Sequence, residues 1–223
     1  MKKALLALGV AATFSTVLTQ SAQAAPAAQA ASAASARSGG WKLMSTGADV
    51  DGDGRPDGIL LRKKSAQVCQ IKVALATGRE VTRSTRSADN PCRWHGAATF
   101  DPVKGAEISV ATVFGAHSAF HTLLTMRNHK LVVEKAPRRV RWVVDSSVMF
   151  SEGIVRTHNN AGKLRVVHHS YARENNHRWS GTREVLAWRG GSWKVVTRAH
   201  ANVKPRLAKK RAGWHVAGLP RWS

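Results

Sequence analysis

Short runs of β-forming residues, separated by turns, recur along most of this 223-residue chain. The runs are rich in Val, Ile and Thr and fit the pattern of half-buried or buried strands. Gly190-Gly191 lies between two Trp-bearing runs and favours a tight hairpin. No window keeps a helical period over three turns, except weakly near the C-terminus. The sequence therefore predicts an all-β fold. The predicted strands lie within residues 58–64, 67–75, 79–85, 106–114, 120–127, 130–135, 141–150, 163–172 and 184–198.

The runs group into three loose units, Trp41–Arg86, Trp94–Lys135 and Arg141–Arg198. The first two units share an order: a strand, a loop with carboxylates, an apolar strand, and two strands joined by a turn. A period of about 40 to 50 residues with about four strands per unit is typical of propeller blades. Three units are fewer than the usual four to eight blades of a closed ring. We therefore expect propeller-blade-like antiparallel repeats that form an incomplete propeller, a sandwich or an open barrel.

The N-terminus has the pattern of a secretory signal peptide. Lys2 and Lys3 precede an apolar stretch, and Ala22-Gln23-Ala24 provides small residues for cleavage. This pattern predicts a signal peptide over residues 1–24 and a secreted, extracellular protein. We expect an Ala- and Ser-rich linker over 25–40, a β-repeat domain over 41–203 and a basic tail over 204–223, with no transmembrane segment.

The chain has two cysteines, Cys69 and Cys92. Export would place them in an oxidising compartment, where a pair of cysteines favours a disulfide. The alternative is two buried free thiols.

The composition is strongly basic, with 35 Lys and Arg against 13 Asp and Glu and a formal net charge of +22. Such a surface attracts anionic polymers, so we expect a cell-wall polymer, an acidic polysaccharide or a nucleic acid as partner. Trp residues beside Arg or Lys could bind such a partner, but we favour strand alternation that buries Trp in the core. We expect Trp214 and Trp222, in the basic tail, to be the exposed exceptions.

Four carboxylates are concentrated in the sequence DVDGDGRPD, residues 49–57. Their mutual repulsion makes a bound divalent cation the best explanation, and hard cations such as calcium take six to eight oxygen ligands. An EF-hand has an acid at the twelfth position, but Leu60 stands there. The alternative is an acidic turn whose side chains cap backbone amides. The predicted calcium ligands are Asp49, Asp51, Asp53, the carbonyl of Arg55, and Asp57.

The compact acidic loop followed directly by the strand sequence GILL resembles the calcium loop of FG-GAP (VCBS-like) repeat proteins. This family includes the propellers of integrin α-subunits and related secreted bacterial proteins. The resemblance covers fewer than 20 residues, and it implies a calcium ion that orders a β-repeat. A weaker echo at 100–110 keeps only Asp101 and Glu107, so the sequence does not predict a second ion site.

These features predict a secreted, calcium-binding, non-catalytic β-repeat module whose basic surface holds an anionic partner. The chain lacks the short motifs of nucleophilic hydrolases and nucleotide-binding enzymes, and we predict no catalytic residue. The alternatives are a secreted nuclease or phosphodiesterase, or a protein whose tail acts on membranes. His168 and His169 are candidates for acid–base chemistry, but adjacent strand residues face opposite sides of a sheet.

Overall fold

A computed structural model describes residues 39–88, 92–139 and 141–221. The predicted signal peptide and residues 25–38 of the predicted linker lie outside this part of the chain, as does Trp222. The described residues form an all-β protein with one short helix, which confirms the predicted fold class.

The first unit is a separate antiparallel sheet with the strand order β1-β2-β3-β4. Its strands are β1 (Lys42–Ala48), β2 (Asp57–Ser65), β3 (Val68–Ala74) and β4 (Glu80–Arg86). The predicted four-stranded organisation of this unit is therefore confirmed, and the acidic loop 49–57 connects its first two strands.

The second and third units share one larger sheet with the order β13-β12-β11-β10-β9-β7-β6-β5. Strand β8 also pairs with β7, and β14 pairs with β10 in parallel. In the described residues this sheet has two ends, so it is not a closed barrel. Its strands are β5 (Arg93–Ala98), β6 (Glu107–Phe114), β7 (Ser118–Arg127), β8 (Lys130–Glu134), β9 (Trp142–Ser146), β10 (Phe150–His158), β11 (Leu164–Arg173), β12 (Trp179–Arg189), β13 (Ser192–Val203) and β14 (Gly213–His215).

Strands β5–β8 form the middle layer of the molecule, with a hydrophobic core on each face. Leu124 packs with residues of the first sheet, such as Ile59 and Ile71. Its neighbour Leu123 points to the opposite face and packs with Trp142 and other residues of the third unit. Burial on both faces explains why β6 and β7 are buried along nearly their whole length rather than at every second residue.

The C-terminal segment is part of the core rather than a solvated tail. Helix α1 (Pro205–Arg211) begins with a proline at its first turn, where the missing N–H is tolerated, and it buries Ala208. Strand β14 then places Trp214 in the core between the middle layer and the third unit. Trp214 is 1% exposed, so the expectation that it is exposed was wrong. Pairing of β14 with β10 holds the indole against the hydrophobic core and away from solvent.

Cys69 and Cys92 form the predicted disulfide. The bond joins β3 of the first sheet to the residue before β5 of the second sheet, so it links the first two layers covalently. The Gly190-Gly191 hairpin is also confirmed. Both glycines have a positive φ, +55° and +73°, as a type I′ turn between β12 and β13 requires.

Candidate functional site

The acidic loop is held in shape by hydrogen bonds from backbone amides to its own carboxylates. Asp49 accepts N–H groups of Gly52 and Gly54 at 2.7 and 2.9 Å. Asp51 accepts the N–H of Asp53 at 3.2 Å, and Asp53 accepts that of Arg55 at 2.8 Å. The bonds of Asp51 and Asp53, each to the residue two positions on, are those of consecutive Asx turns.

Asp57 connects the loop to the rest of the first unit. It is the first residue of β2 and is fully buried. Its Oδ2 accepts the N–H of Val50 at 2.7 Å, and its Oδ1 accepts that of Ala76 at 2.9 Å. Burial, opposed by these hydrogen bonds, raises the pKa of the Asp57 carboxyl. The pKa of Asp51 is raised as well, first by burial and then by repulsion from Asp53 and Asp49.

Three of the four aspartates converge on one point. Oxygens of Asp49, Asp51 and Asp57 lie within 4.8 Å of one another, a separation suited to a shared cation. Asp53 is not in this group of three. The guanidinium of Arg55 points away and donates to the carbonyl of Ala76 at 3.0 Å. The fit to a calcium ion therefore depends first on Asp49, Asp51 and Asp57.

The second unit contains a loop that repeats two of these hydrogen bonds, displaced by fifty residues. Glu107 is the first residue of β6, and its Oε2 accepts the N–H of Phe100 at 2.6 Å. This bond corresponds to the one from Val50 to Asp57, because 107 − 57 and 100 − 50 are both 50. The Asp101 carboxylate accepts the N–H of Val103 at 2.7 Å, as Asp51 accepts that of Asp53. The echo noted in the sequence is therefore a structural repeat.

An arginine lies against the carboxylates of this second loop. Arg127 donates to Asp101 through Nη2, and the same nitrogen lies 4.0 Å from Oε1 of Glu107. Its Nη1 donates to the carbonyl of Met126 at 2.7 Å, the counterpart of the Ala76 carbonyl in the first unit. In the second unit, the positions equivalent to Asp51 and Asp57 thus face a guanidinium.

A third buried carboxylate, Glu134, completes the cluster around Arg127. Glu134 lies within 4.8 Å of Asp101 and Glu107, and its Oε1 accepts the indole N–H of Trp193 at 2.7 Å. Burial raises the pKa of Asp101, raises that of Glu107 to about 7 and raises that of Glu134 well above its usual range. One arginine beside three buried carboxylates explains why protonation is favoured here.

The two loops pack directly against each other. The N–H of Ala106 donates to the carbonyl of Asp49 at 2.7 Å. Gly105 has a φ of +108°, and a Cβ at this position would lie 2.5 Å from the carbonyl oxygen of Val50. Gly105 is therefore required both by its backbone conformation and by the close approach of the first loop.

Sequence reasoning found the first loop but missed the partners of the second. Arg127 and Glu134 lie in β7 and β8, and their residue types alone do not distinguish them from the other Arg and Glu residues of the chain. The fifty-residue offset would have aligned Asp101 with Asp51 and Glu107 with Asp57. The expectation that His168 and His169 face opposite sides is confirmed. His168 lies near Glu152 and Glu184, whereas the ring of His169 contacts Tyr171.

In the described part of the chain, no helix is both long and apolar enough to cross a membrane. Comparison of the chain with models of protein families, with curated proteins and with solved structures gave no match.

Proposed function

We propose that this protein is a secreted, calcium-binding β-repeat module that holds an anionic polymer without catalysing a reaction. One observation carries the calcium assignment. In the second loop, Asp101 and Glu107 face the guanidinium of Arg127, and their counterparts in the first loop are Asp51 and Asp57. This correspondence supports the proposal that the first loop also holds a cation. We infer that an external ion occupies this position in the first loop, as the resemblance to FG-GAP repeats implies.

The proposed ion makes the first loop compatible with folding at neutral pH. Asp49, Asp51 and Asp57 supply carboxylate oxygens, and Asp53 and the Arg55 carbonyl are the further candidates. Calcium takes six to eight oxygens, so water completes the sphere. Extracellular calcium modules bind with dissociation constants of about 10⁻⁴ to 10⁻³ M. The proposed ion orders the loop and the two layers that meet there, and it has no catalytic role.

The calcium proposal is tested by Asp51→Asn. Asp51 is the best position because the hydrogen bond from the N–H of Asp53 can also be accepted by the Asn carbonyl. We expect calcium at a hundredfold excess over the dissociation constant to stabilise the wild-type protein by about 2.7 kcal/mol. The variant should lose this gain, as measured by calorimetric titration and thermal unfolding.

Asp145→Asn is the matched control for this experiment. Asp145 also accepts one backbone N–H in a turn, that of Ser147 at 2.8 Å, and it lies outside both carboxylate clusters. The Asp145→Asn variant should bind calcium as the wild-type protein does. A wild-type protein that shows no calcium-dependent shift up to about 10 mM, beyond the weak end of this class, would contradict the proposal.

The proposed anionic partner rests on the charge of the chain, +22 over 223 residues. Binding driven by such a charge releases counterions. The logarithm of the binding constant then falls linearly with the logarithm of the salt concentration, as for nucleic-acid binding proteins. We expect a polyol-phosphate polymer to bind with a clear negative salt slope in fluorescence anisotropy. Binding that is independent of salt, or no binding at low salt, would refute this part of the proposal.

A secreted phosphodiesterase is the competing function, because His168 and Glu184 adjoin in a cavity, with 3.6 Å between Nδ1 and Oε2. The competing function predicts release of product from RNA, DNA or a small phosphodiester. Turnover that His168→Ala abolishes would replace the binding-module proposal.

A further inference from the structure

The inner face of the third unit changes from apolar to charged across its strands, from β10 to β13. Ile154 of β10 lies opposite His168 of β11, which lies opposite Glu184 of β12, which lies opposite Arg198 of β13. Residues directly opposite each other in antiparallel strands share a face. Ile154 belongs to the hydrophobic core, so the charged residues continue the core face of the sheet. Charged groups on such a face are costly unless they serve a ligand or one another.

Arginines surround these inward-facing acids. Arg198 donates through Nε to Oε1 of Glu184 at 2.7 Å, and Nη1 of Arg138 lies 3.6 Å from the same oxygen. Nη1 of Arg139 lies 3.4 Å from Oε1 of Glu152, in the row next to Glu184. The three arginine side chains are 47 to 61% exposed, whereas both glutamates are 13% exposed. The acids therefore form the floor, and the guanidinium groups form a rim open to solvent.

The strands and the connection that carries Arg138 and Arg139 enclose a cavity of about 150 Å³. Arg141 also lines it. The four arginines 138, 139, 141 and 198 outnumber Glu184, which lines the cavity, and Glu152, which lies beside it next to His168. Counting both acids, the surplus is 4 − 2 = +2 when the histidine is neutral. An anion of one or two charges would balance this surplus. Arginine is suited to the task, since its planar fork binds phosphate oxygens in pairs.

His168 lies between the two acids of the floor. Its Nδ1 is 3.6 Å from Oε2 of Glu184, and its Nε2 is 4.0 Å from Oε1 of Glu152. Burial lowers the pKa of His168, and Arg139 lowers it further, while the two glutamates oppose the shift. An anion in the cavity adds negative charge beside the ring and favours its protonated form. Anion binding and proton uptake by His168 should therefore be coupled.

The size and lining of the cavity favour one phosphate group over a larger ligand. A cavity of about 150 Å³ in another protein holds benzene, so the space suits a group of roughly six non-hydrogen atoms. A phosphate with one ester carbon has this size. Nucleic-acid binding without sequence preference commonly uses exposed aromatic rings that stack on bases. The tryptophan in the described lining, Trp142, is 2% exposed and unsuited to stacking. These features favour a polyol-phosphate chain over RNA.

We infer that the cavity beneath Arg138, Arg139 and Arg198 binds a phosphate group of a polyol-phosphate polymer. This inference rests on the proposed anionic partner and assigns it a site. The guanidinium groups bind the phosphate oxygens, and Ser170, whose hydroxyl donates to Glu152 at 3.1 Å, fixes one acid of the floor.

The site is tested first with inorganic phosphate, titrated into the full chain at constant ionic strength and followed by calorimetry. Arg198→Gln should weaken phosphate binding at least about tenfold, the effect of losing one charge-assisted hydrogen bond. Arg83→Gln removes the same charge from an exposed position of β4 and is the matched control. Glu184→Gln should strengthen binding, because it removes a negative charge from the floor. Equal affinities of Arg198→Gln and Arg83→Gln would overturn the site.

Glu184→Gln and pH provide readouts that a purely structural role would not produce. Two variants that merely loosen the fold would both lose affinity, so opposite effects of Arg198→Gln and Glu184→Gln support a charge-selective site. The ratio of wild-type affinity to that of His168→Gln should rise as the pH falls, since the bound state of the wild type holds the extra proton on His168. The pH dependence that remains in His168→Gln is that of the ionisation of phosphate itself. Weaker binding by Glu184→Gln, or an unchanged pH profile in His168→Gln, would contradict the inference.

A second experiment compares the binding of poly(glycerol phosphate) with that of single-stranded RNA containing the same number of phosphates. We expect the polyol polymer to bind more tightly and to lose affinity in Arg198→Gln. Tighter binding of RNA that depends on Arg198 would overturn the choice of polymer. Polymer binding that responds to salt but not to Arg198→Gln would refute the site and leave the proposed function standing. Binding of inorganic phosphate that depends on Arg198, without any polymer binding, would refute the proposed function and leave the site standing.

Discussion

The buried carboxylate cluster of the second loop makes a quantitative prediction about pH and stability. Glu107 is 2% exposed, and burial followed by repulsion from Asp101 raises its pKa from 4.5 to about 7. A folded-state pKa above the unfolded value means that the folded protein holds the proton more tightly. The resulting stabilisation is fully present below about pH 4.5 and is lost as the pH rises through 7. The difference between 7 and 4.5, at 1.36 kcal/mol per pH unit, corresponds to about 3 kcal/mol.

The test is Glu107→Gln, which removes the titrating group with little change in shape. The Gln carbonyl can accept the N–H of Phe100, and its amide can donate to the hydroxyl of Thr125, which now donates to Oε1 of Glu107 at 3.1 Å. The free energy of unfolding should be measured by chemical denaturation between pH 4 and 8. The wild-type protein should lose about 3 kcal/mol relative to the variant as the pH rises across this window.

A control variant separates this effect from general charge effects. Glu80→Gln changes a carboxyl that is 42% exposed beside Lys72 and should show no comparable dependence. If the difference between wild type and Glu107→Gln stays constant from pH 4 to 8, the burial argument fails. A difference of the opposite sign would mean that Arg127 stabilises the ionised form more than burial opposes it.

Two further predictions concern stability. The double variant Cys69→Ala/Cys92→Ala should have a free energy of unfolding about 3 kcal/mol lower, because the loop between the cysteines, which are 23 positions apart, is no longer closed. A denaturation midpoint equal to that of the oxidised protein would contradict this prediction. Gly153→Ala should cost at least about 3 kcal/mol, because its Cβ would lie 1.6 Å from the carbonyl oxygen of Arg211 and displace the segment that carries α1 and β14. Gly47→Ala, with no atom within 4 Å of the added Cβ, is the control, and equal thermal stabilities of these two glycine variants would refute the packing argument.

Strand positions were largely predictable because β-branched residues and turn residues alternate clearly along the chain. The break between β9 and β10 was not predicted within residues 141–150. There, Asp145 accepts the N–H of Ser147, and the Ser147 hydroxyl accepts that of Phe150 at 2.7 Å. Two short polar side chains thus form a turn inside an apolar run, and strand propensity does not detect it.

The first acidic loop was predictable because its chemistry lies within nine consecutive residues. The charged cavity was not, because His168, Glu184 and Arg198 come from three strands. Their meeting depends on strand register, and a shift of one residue would move each side chain to the other face. A bulge between Val185 and Leu186 contributes to that register and has no distinctive sequence signal.

The position of β14 has a consequence for the order of folding. Trp214 fills the centre of a core whose other members lie between residues 98 and 216, and the His95 ring nitrogen lies 2.9 Å from the carbonyl oxygen of Pro220, 125 residues away. Contacts so distant in sequence form slowly, because a long loop must close before they give any gain. A growing chain lacks Trp214 until every strand from β5 to β13 has been made, so the larger core cannot be completed before that point of synthesis. The larger core therefore depends on the whole stretch from Ala98 to Val216 being present at once.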